Sequence, residues 1–208
     1  MTKIILTRHG HVEGIKPERF RGREPLQLTA RGAAEAAALA QHIAGRWRPS
    51  HIYTSPMSRC IATAAAIARA TGVTAKTCED LNDIDYGAWQ FKTFAEAKTQ
   101  DATLFAAWFA KPQLVRFPKG ESLQDLAART ANALLMVLAR HRDEIIVLVG
   151  HDSVNRALLI RTSRTAALGL LAARSGALLH QRDRRERSWR LRTHHQRNAT
   201  PRCPCRRA

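Results

Sequence analysis

Cysteine is scarce in this chain of 208 residues. Cys60, Cys78, Cys203 and Cys205 are scattered along it, which excludes a disulfide framework and agrees with a reducing compartment. Long apolar runs are also missing. No stretch approaches the roughly 18–20 apolar residues that a membrane span requires, and Ile4-Ile5-Leu6 is far too short for a secretory core. A cytoplasmic location with no membrane partner is therefore expected. Lysine is absent beyond residue 160, where every basic residue is arginine.

What is present fits a soluble globular protein: 45% hydrophobic residues, 25% charged, and a length suited to one domain with a substantial core. The net charge of +17 invites a nucleic-acid partner, but its distribution argues against one. Residues 1–160 carry a net of +6, and residues 161–208 carry +11 in under a quarter of the length. A domain over 1–160 followed by an atypical Arg-rich tail over 161–208 is the organisation expected.

Apolar patterning places short strands at 3–7 and 51–55, and a continuous buried strand at 144–150. Between them, Thr29 is the expected N-cap of a helix packed through Ala33, Ala37, Leu39, Ala40 and Ile43. Ser55-Pro56 reads as the start of a second helix that stops at Gly72. Residues 79–92 form a loop rich in acids and aromatics, short helices follow to Pro112, and Ser122 caps a long amphipathic helix. Strand–helix alternation predicts an α/β domain of three layers, α/β/α, with a mainly parallel sheet. Two of its strands end in similar signatures, Arg8-His9-Gly10 and Gly150-His151-Asp152. Ligand crevices of open α/β sheets lie beyond the carboxyl ends of strands, so two histidines delivered there point to a site rather than to core packing. His42, His51 and His141 read as surface or packing residues, Cys60 and Cys78 as inert thiols, and Trp47, Trp89 and Trp108 as core or pocket wall.

"LTRHG", "SPMSRCIATA", "LNDIDYGAW", "GES" and "VLVGHDSVNR", in this order and spacing, resemble the histidine phosphatase (phosphoglycerate mutase-like) superfamily over roughly residues 3–160. The resemblance implies a phosphatase that forms a phosphohistidine on His9, with no cofactor and no metal. A neutral imidazole nitrogen attacks phosphorus, splitting one difficult displacement into two. Arg8 and Arg59 would grip the phosphoryl oxygens as planar forks, and a protonated His151 would add a third donor. The loop Leu81-Asn82-Asp83-Ile84-Asp85-Tyr86-Gly87 matches the segment that carries the family's general acid. It gives Asp83 that role, with aspartate where glutamate is commoner and Asp85 as rival. Arg21 and Gly22 resemble the substrate-side loop. Gly14 stands where relatives carry an asparagine, so backbone N–H groups or His11 would have to replace its contact with phosphate.

The partner implied is a small phosphorylated metabolite. A phosphoglycerate mutase-type transfer is the near alternative, and a non-catalytic basic protein binding nucleic acid or membrane through its tail is the alternative of another class. Past about Ile160 the family expects another strand, yet no clean strand is legible. Cys203 and Cys205 with His194 and His195 have poor spacing for a metal site. Arginine and alanine excess without lysine suggests an out-of-frame stretch of GC-rich coding sequence. Read one base later, codons for residues 194–200 permit Ile-Ile-Asn-Glu-Thr-Pro-His. Resequencing the gene decides this, since an intact frame would exclude it.

Overall fold

The computed structural model describes residues 2–14, 17–163 and 170–172. Two strands with almost continuous apolar sequence form the middle of its sheet, β1 (Lys3–Arg8) and β4 (Ile145–Gly150), paired in parallel from Lys3↔Ile145 to Arg8↔Gly150. On the far side of β4 lie β2 (His51–Thr54) and then β3 (Ala75–Thr77), and β5 (Leu170–Ala172) flanks β1. The order is β3-β2-β4-β1-β5 and every pairing is parallel.

Alternation along the two central strands divides the core in two. Ile5, Val147 and Val149 face α1 (Ala30–Arg46) and α2 (Ser58–Thr71). Ile4, Leu6, Ile146 and Leu148 face the opposite cluster, which includes residues of α5 (Leu123–Arg140) and α6 (Asp152–Ser163). Helices on both faces of a parallel sheet give the expected three layers. The second face is extended by α3 (Phe94–Gln100) and α4 (Ala102–Ala110), whose Phe94, Phe105 and Trp108 pack against buried Phe20, Trp89 and Phe117.

Local chemistry explains where the helices begin and where the sequence reading slips. Thr29 caps α1 by accepting from the Gly32 N–H, and Ser122 caps α5 in a capping box with Asp125. Gly72 ends α2 in the left-handed region at φ 75°. The packed stripe of α1 runs through Gly32, Glu35, Ala36, Leu39, Ala40 and Ile43, whereas Ala33 and Ala37 are exposed. An alanine run has no phase of its own, and Leu39 with Ile43 sets the stripe one residue earlier. The second helix starts at Ser58 rather than at Ser55-Pro56; the Ser55 hydroxyl accepts from the Met57 N–H at 3.3 Å and also lies 2.9 Å from His151 Nε2. β3 (Ala-Lys-Thr) went unread because three residues with one apolar side chain have no period. β5 corrects the expectation that no strand follows residue 160: Leu170–Ala172 pairs with Ile4–Leu6. Residues 164–169 and 173–208, with Cys203, Cys205, His194 and His195, lie outside the described residues. Among the described residues no helix is long and apolar enough to cross a membrane.

Candidate active site

β1 and β4 end side by side, and their next residues, His9 and His151, meet with ring centroids 5.2 Å apart. The turn after β1 is pinned from three sides. The His9 N–H donates to Gly150 O at 3.2 Å, Gly10 N–H to Thr63 Oγ1 of α2 at 3.2 Å, and His11 N–H to Glu35 Oε2 of α1 at 2.8 Å. Glycine is required where this turn meets α1. A Cβ on Gly10 would lie 2.2 Å from Gly32 O, and one on Gly32 would lie 2.1 Å from His11 O. Two backbones therefore touch without side chains between them, and Gly32 had not been singled out in the sequence.

His9 is 5% exposed and its Nδ1 lies 2.7 Å from Gly10 O. A carbonyl can only accept, so Nδ1 carries the proton and Nε2 keeps its lone pair. Burial, followed by the charges of His151, Arg59 and Arg8, holds the His9 pKa well below its ordinary value. The ring is neutral, with Nε2 available as a nucleophile. His151 is also held neutral, by burial and then by Arg59, Arg8 and Arg129. Its Nε2 lies 2.9 Å from Ser55 Oγ and its Nδ1 3.3 Å from Arg59 Nη2. Without a bound anion, burial and then the surrounding arginines disfavour a charge on His151.

Arg59 is wholly buried on the first turn of α2. Its fork grips the loop before α1: Nη1 donates to Glu24 O at 2.8 Å, and Nη2 donates to Gly22 O at 2.5 Å. Nη2 also lies 3.2 Å from Asp83 Oδ2, and the second Asp83 oxygen accepts from Ser153 Oγ at 2.6 Å and from Ile84 N–H at 2.9 Å. Asp83 Oδ2 is 3.3 Å from His151 Nδ1. Asp83 thus joins the cluster, whereas the Asp85 carboxylate turns to its own loop, accepting from Gly87 N–H at 2.8 Å and facing Arg23 at 3.5 Å.

A cavity of about 1040 Å³ opens in front, walled by Arg8, His9, Arg21, Gly22 and Asp83, with Tyr86, Trp108 and Leu126 on its apolar side. Arg59 and His151 form the buried layer directly behind this wall. Arg21 donates to Gly14 O at 3.2 Å. Gly14 itself sits at φ +76°, a conformation that glycine and asparagine tolerate best, so the backbone suits either residue there. His11 Nδ1 lies 2.9 Å from Thr29 Oγ1.

The Asp83 loop depends on residues that sequence reading missed. Arg129, in the second turn of α5, donates to the Asp80, Asn82 and Asp83 carbonyls and pairs bidentately with Glu121 at 2.8 and 2.9 Å. Arg23 adds bonds to Asp83 O at 3.1 Å and to Glu121 Oε1 at 2.9 Å. Glu121 belongs to the quoted "GES", so the block was visible but its job as a brace was not. Cys60 lies against His151 with its thiol pushed up by burial to about 12, which leaves it inert as a nucleophile.

Comparison with known proteins adds the following. A family model described as "Histidine phosphatase superfamily (branch 1)" matches residues 4–193. A metal-independent phosphoserine phosphatase of Arabidopsis thaliana is 29% identical over 194 residues, covering 89% of this chain and 79% of that protein. Phosphoserine phosphatase 1 of Hydrogenobacter thermophilus is 32% identical over 158 residues, 76% of this chain and 74% of that protein. Among solved structures, Bacillus stearothermophilus YhfR superposes with a TM-score of 0.75 at 27% identity, covering 79% and 81% of the two chains. A mycobacterial glucosyl-3-phosphoglycerate phosphatase superposes at 0.70 with 25% identity, covering 76% and 77%.

Proposed function

The chain belongs to the histidine phosphatase superfamily, branch 1, and we propose that it hydrolyses small phosphomonoesters without a metal ion, through a phosphohistidine on His9. The observation that carries this reading is the 2.7 Å contact from His9 Nδ1 to Gly10 O, which turns a neutral Nε2 towards a cavity walled by Arg8 and Arg21. Phosphoryl transfer demands positioning and charge stabilisation more than covalent chemistry from the protein. Arginines supply both, and the name of the Arabidopsis relative, a metal-independent phosphatase, agrees.

In the proposed reaction the phosphoryl group binds Arg8 and Arg21 and exchanges for Asp83 at Arg59 Nη2. His9 Nε2 forms the N–P bond as the ester P–O bond breaks, and the alkoxide takes its proton from the Asp83 carboxyl. An anionic phosphate favours the protonated form of a neighbouring carboxyl, and also the protonated form of His151, which then donates to an equatorial oxygen. Water next attacks phosphorus, with Asp83 accepting its proton, and His9 and inorganic phosphate are regenerated. Gly22 lets the loop backbone approach the substrate.

The phosphoserine phosphatase names of two relatives favour hydrolysis over mutase-type transfer. Tyr86, Trp108 and Leu126 give the cavity room for a leaving group with an apolar face. The test is hydrolysis of an aryl phosphate and of phosphoserine in excess EDTA. Turnover should persist in EDTA and vanish in His9→Ala, with acid-labile ³²P trapped on the wild type only. Loss of turnover on chelation, or turnover that survives His9→Ala, refutes the reading.

A further inference from the structure

At the opposite end of the sheet from the crevice, three metal-ligating side chains converge that the proposed hydrolysis does not use. His51 opens β2, His141 is the C-cap of α5, and Glu144 immediately precedes β4. We propose that His51, His141 and Glu144 bind one divalent transition-metal ion of the zinc class, which ties the end of α5 to the starts of β2 and β4.

The donor atoms of the three residues all lie within 4.8 Å of one another. Glu144 Oε2 is 2.9 Å from His141 Nδ1 and 3.1 Å from His51 Nε2. Tetrahedral zinc with bonds near 2.0–2.1 Å separates its ligand atoms by about 3.3 Å, so small side-chain rotations seat an ion between them. The outer partner is already in place. Buried Tyr53 sets its hydroxyl 2.9 Å from His141 Nε2. When that nitrogen donates to Tyr53, the Nδ1 lone pair points into the cluster, the arrangement that orients metal-bound histidines.

The backbone is fixed as well. His141 N–H closes the last turn of α5 on Val137 O at 3.1 Å, Thr2 Oγ1 donates to His141 O at 2.9 Å, and Lys3 N–H donates to Glu144 O at 2.8 Å. The two imidazole rings lie 4.0 Å apart, tilted by 37°, and share one carboxylate oxygen. One divalent ion would use the lone pairs of both rings at once. Two imidazoles and one carboxylate suit zinc, whereas calcium and magnesium prefer oxygen ligands. The side chains of His51 and Glu144 are 33% and 36% exposed, which gives the ion a way in and leaves a fourth position for water.

The test uses the full chain carrying Cys203→Ser and Cys205→Ser, so that thiols outside the described residues add no zinc site. After chelation and dialysis, zinc is titrated calorimetrically and cobalt(II) is read by its visible d–d bands. One equivalent should bind with a Kd on the order of micromolar or tighter, raising the unfolding midpoint by about a few degrees. His51→Asn and Glu144→Gln should each weaken binding at least ~100-fold, and Tyr53→Phe by about 10-fold. Aryl phosphatase activity of His51→Asn should equal that of its parent. Zinc binding weaker than about millimolar, or binding that neither His51→Asn nor Glu144→Gln diminishes, overturns the proposal and leaves the cluster as hydrogen-bonded packing. Circular dichroism of metal-free His51→Asn and Glu144→Gln, at the two partly exposed positions, checks that the loss is not unfolding.

Discussion

Lowering the pH should cost this protein stability in a window set by its two buried histidines. His9 and His151 have folded-state pKa values well below 6.5, chiefly through burial. In the unfolded chain both take up protons near pH 6.5. Between that pH and the folded values, the unfolded state therefore binds more protons, and unfolding free energy falls as pH falls. A histidine that stays neutral when folded loses up to about 1.4 kcal/mol between pH 7.5 and 5.5, so the pair loses up to about 2.7 kcal/mol. That is a large share of the roughly 5–15 kcal/mol of an ordinary domain. The assay is urea unfolding at pH 7.5, 6.5 and 5.5 for wild type, His9→Asn and His151→Asn. Each variant should show a pH dependence shallower by up to about 1.4 kcal/mol over the same span. Carboxylates contribute equally to all three proteins and cancel in the differences. Equal pH dependence in wild type and both variants would refute the claim that burial keeps these rings neutral. Bound phosphate should reverse the sign at His151, since an anion favours its charged form, so the wild-type loss should shrink in saturating phosphate.

Asp83→Asn should lower kcat/KM, which reports formation of the phosphohistidine before water attacks, by about 10²–10⁴ on phosphoserine and much less on an aryl phosphate, whose leaving group needs no proton. Asp85→Asn, whose carboxylate accepts from Gly87 N–H rather than facing the cavity, should leave the ratio of the two substrates unchanged; a collapse of that ratio would exchange the roles of the two acids. Gly32→Ala places a Cβ against His11 O at 2.1 Å and should lower the melting temperature and kcat together, as the turn bearing His9 is pushed off α1. An unchanged melting temperature in that variant would mean the contact relaxes without cost. By contrast, Gly45→Ala meets nothing within 4 Å and serves as the helix control, with a gain of up to about 1 kcal/mol.

How legible this was in the sequence depended on how far each residue's partner lies along the chain. Strands that are apolar throughout, such as Ile145–Gly150, announce burial on both faces, and capping residues announce helix starts, because both signals are local. Thr29 and Ser122 cap as expected. Ser55 accepts locally from the Met57 N–H but also meets His151, 96 residues away, and the helix begins only at Ser58. The histidines were legible because they follow strand ends, and Asp83 because the loop pattern of a known family fixes its position. What holds Asp83 was not legible. Arg129 sits inside an amphipathic helix, where an arginine ordinarily faces water, and only the fold brings it under the carbonyls of residues 80, 82 and 83. The same limit hid His51 and His141, separated by 90 positions and joined by one carboxylate at the foot of the sheet.

The arrangement around Asp83 also explains why a buried arginine is needed at residue 59 rather than a lysine. Arg59 holds the Gly22 and Glu24 carbonyls and faces Asp83, and in the proposed reaction it would also meet a phosphoryl oxygen. Five donors in a planar fork can divide those tasks, whereas a lysine offers three donors on a single nitrogen and cannot reach two carbonyls and an anion in one plane. Burial sharpens the demand, since a cation with unmet donors behind the cavity wall would be costly. The loop that supplies the carbonyls and the loop that supplies the carboxylate are therefore tied to the same guanidinium. In the proposed reaction, where phosphate takes the place of Asp83 at Nη2, the two loop carbonyls would keep Arg59 in position, and only the carboxyl group would have to move, towards the leaving oxygen.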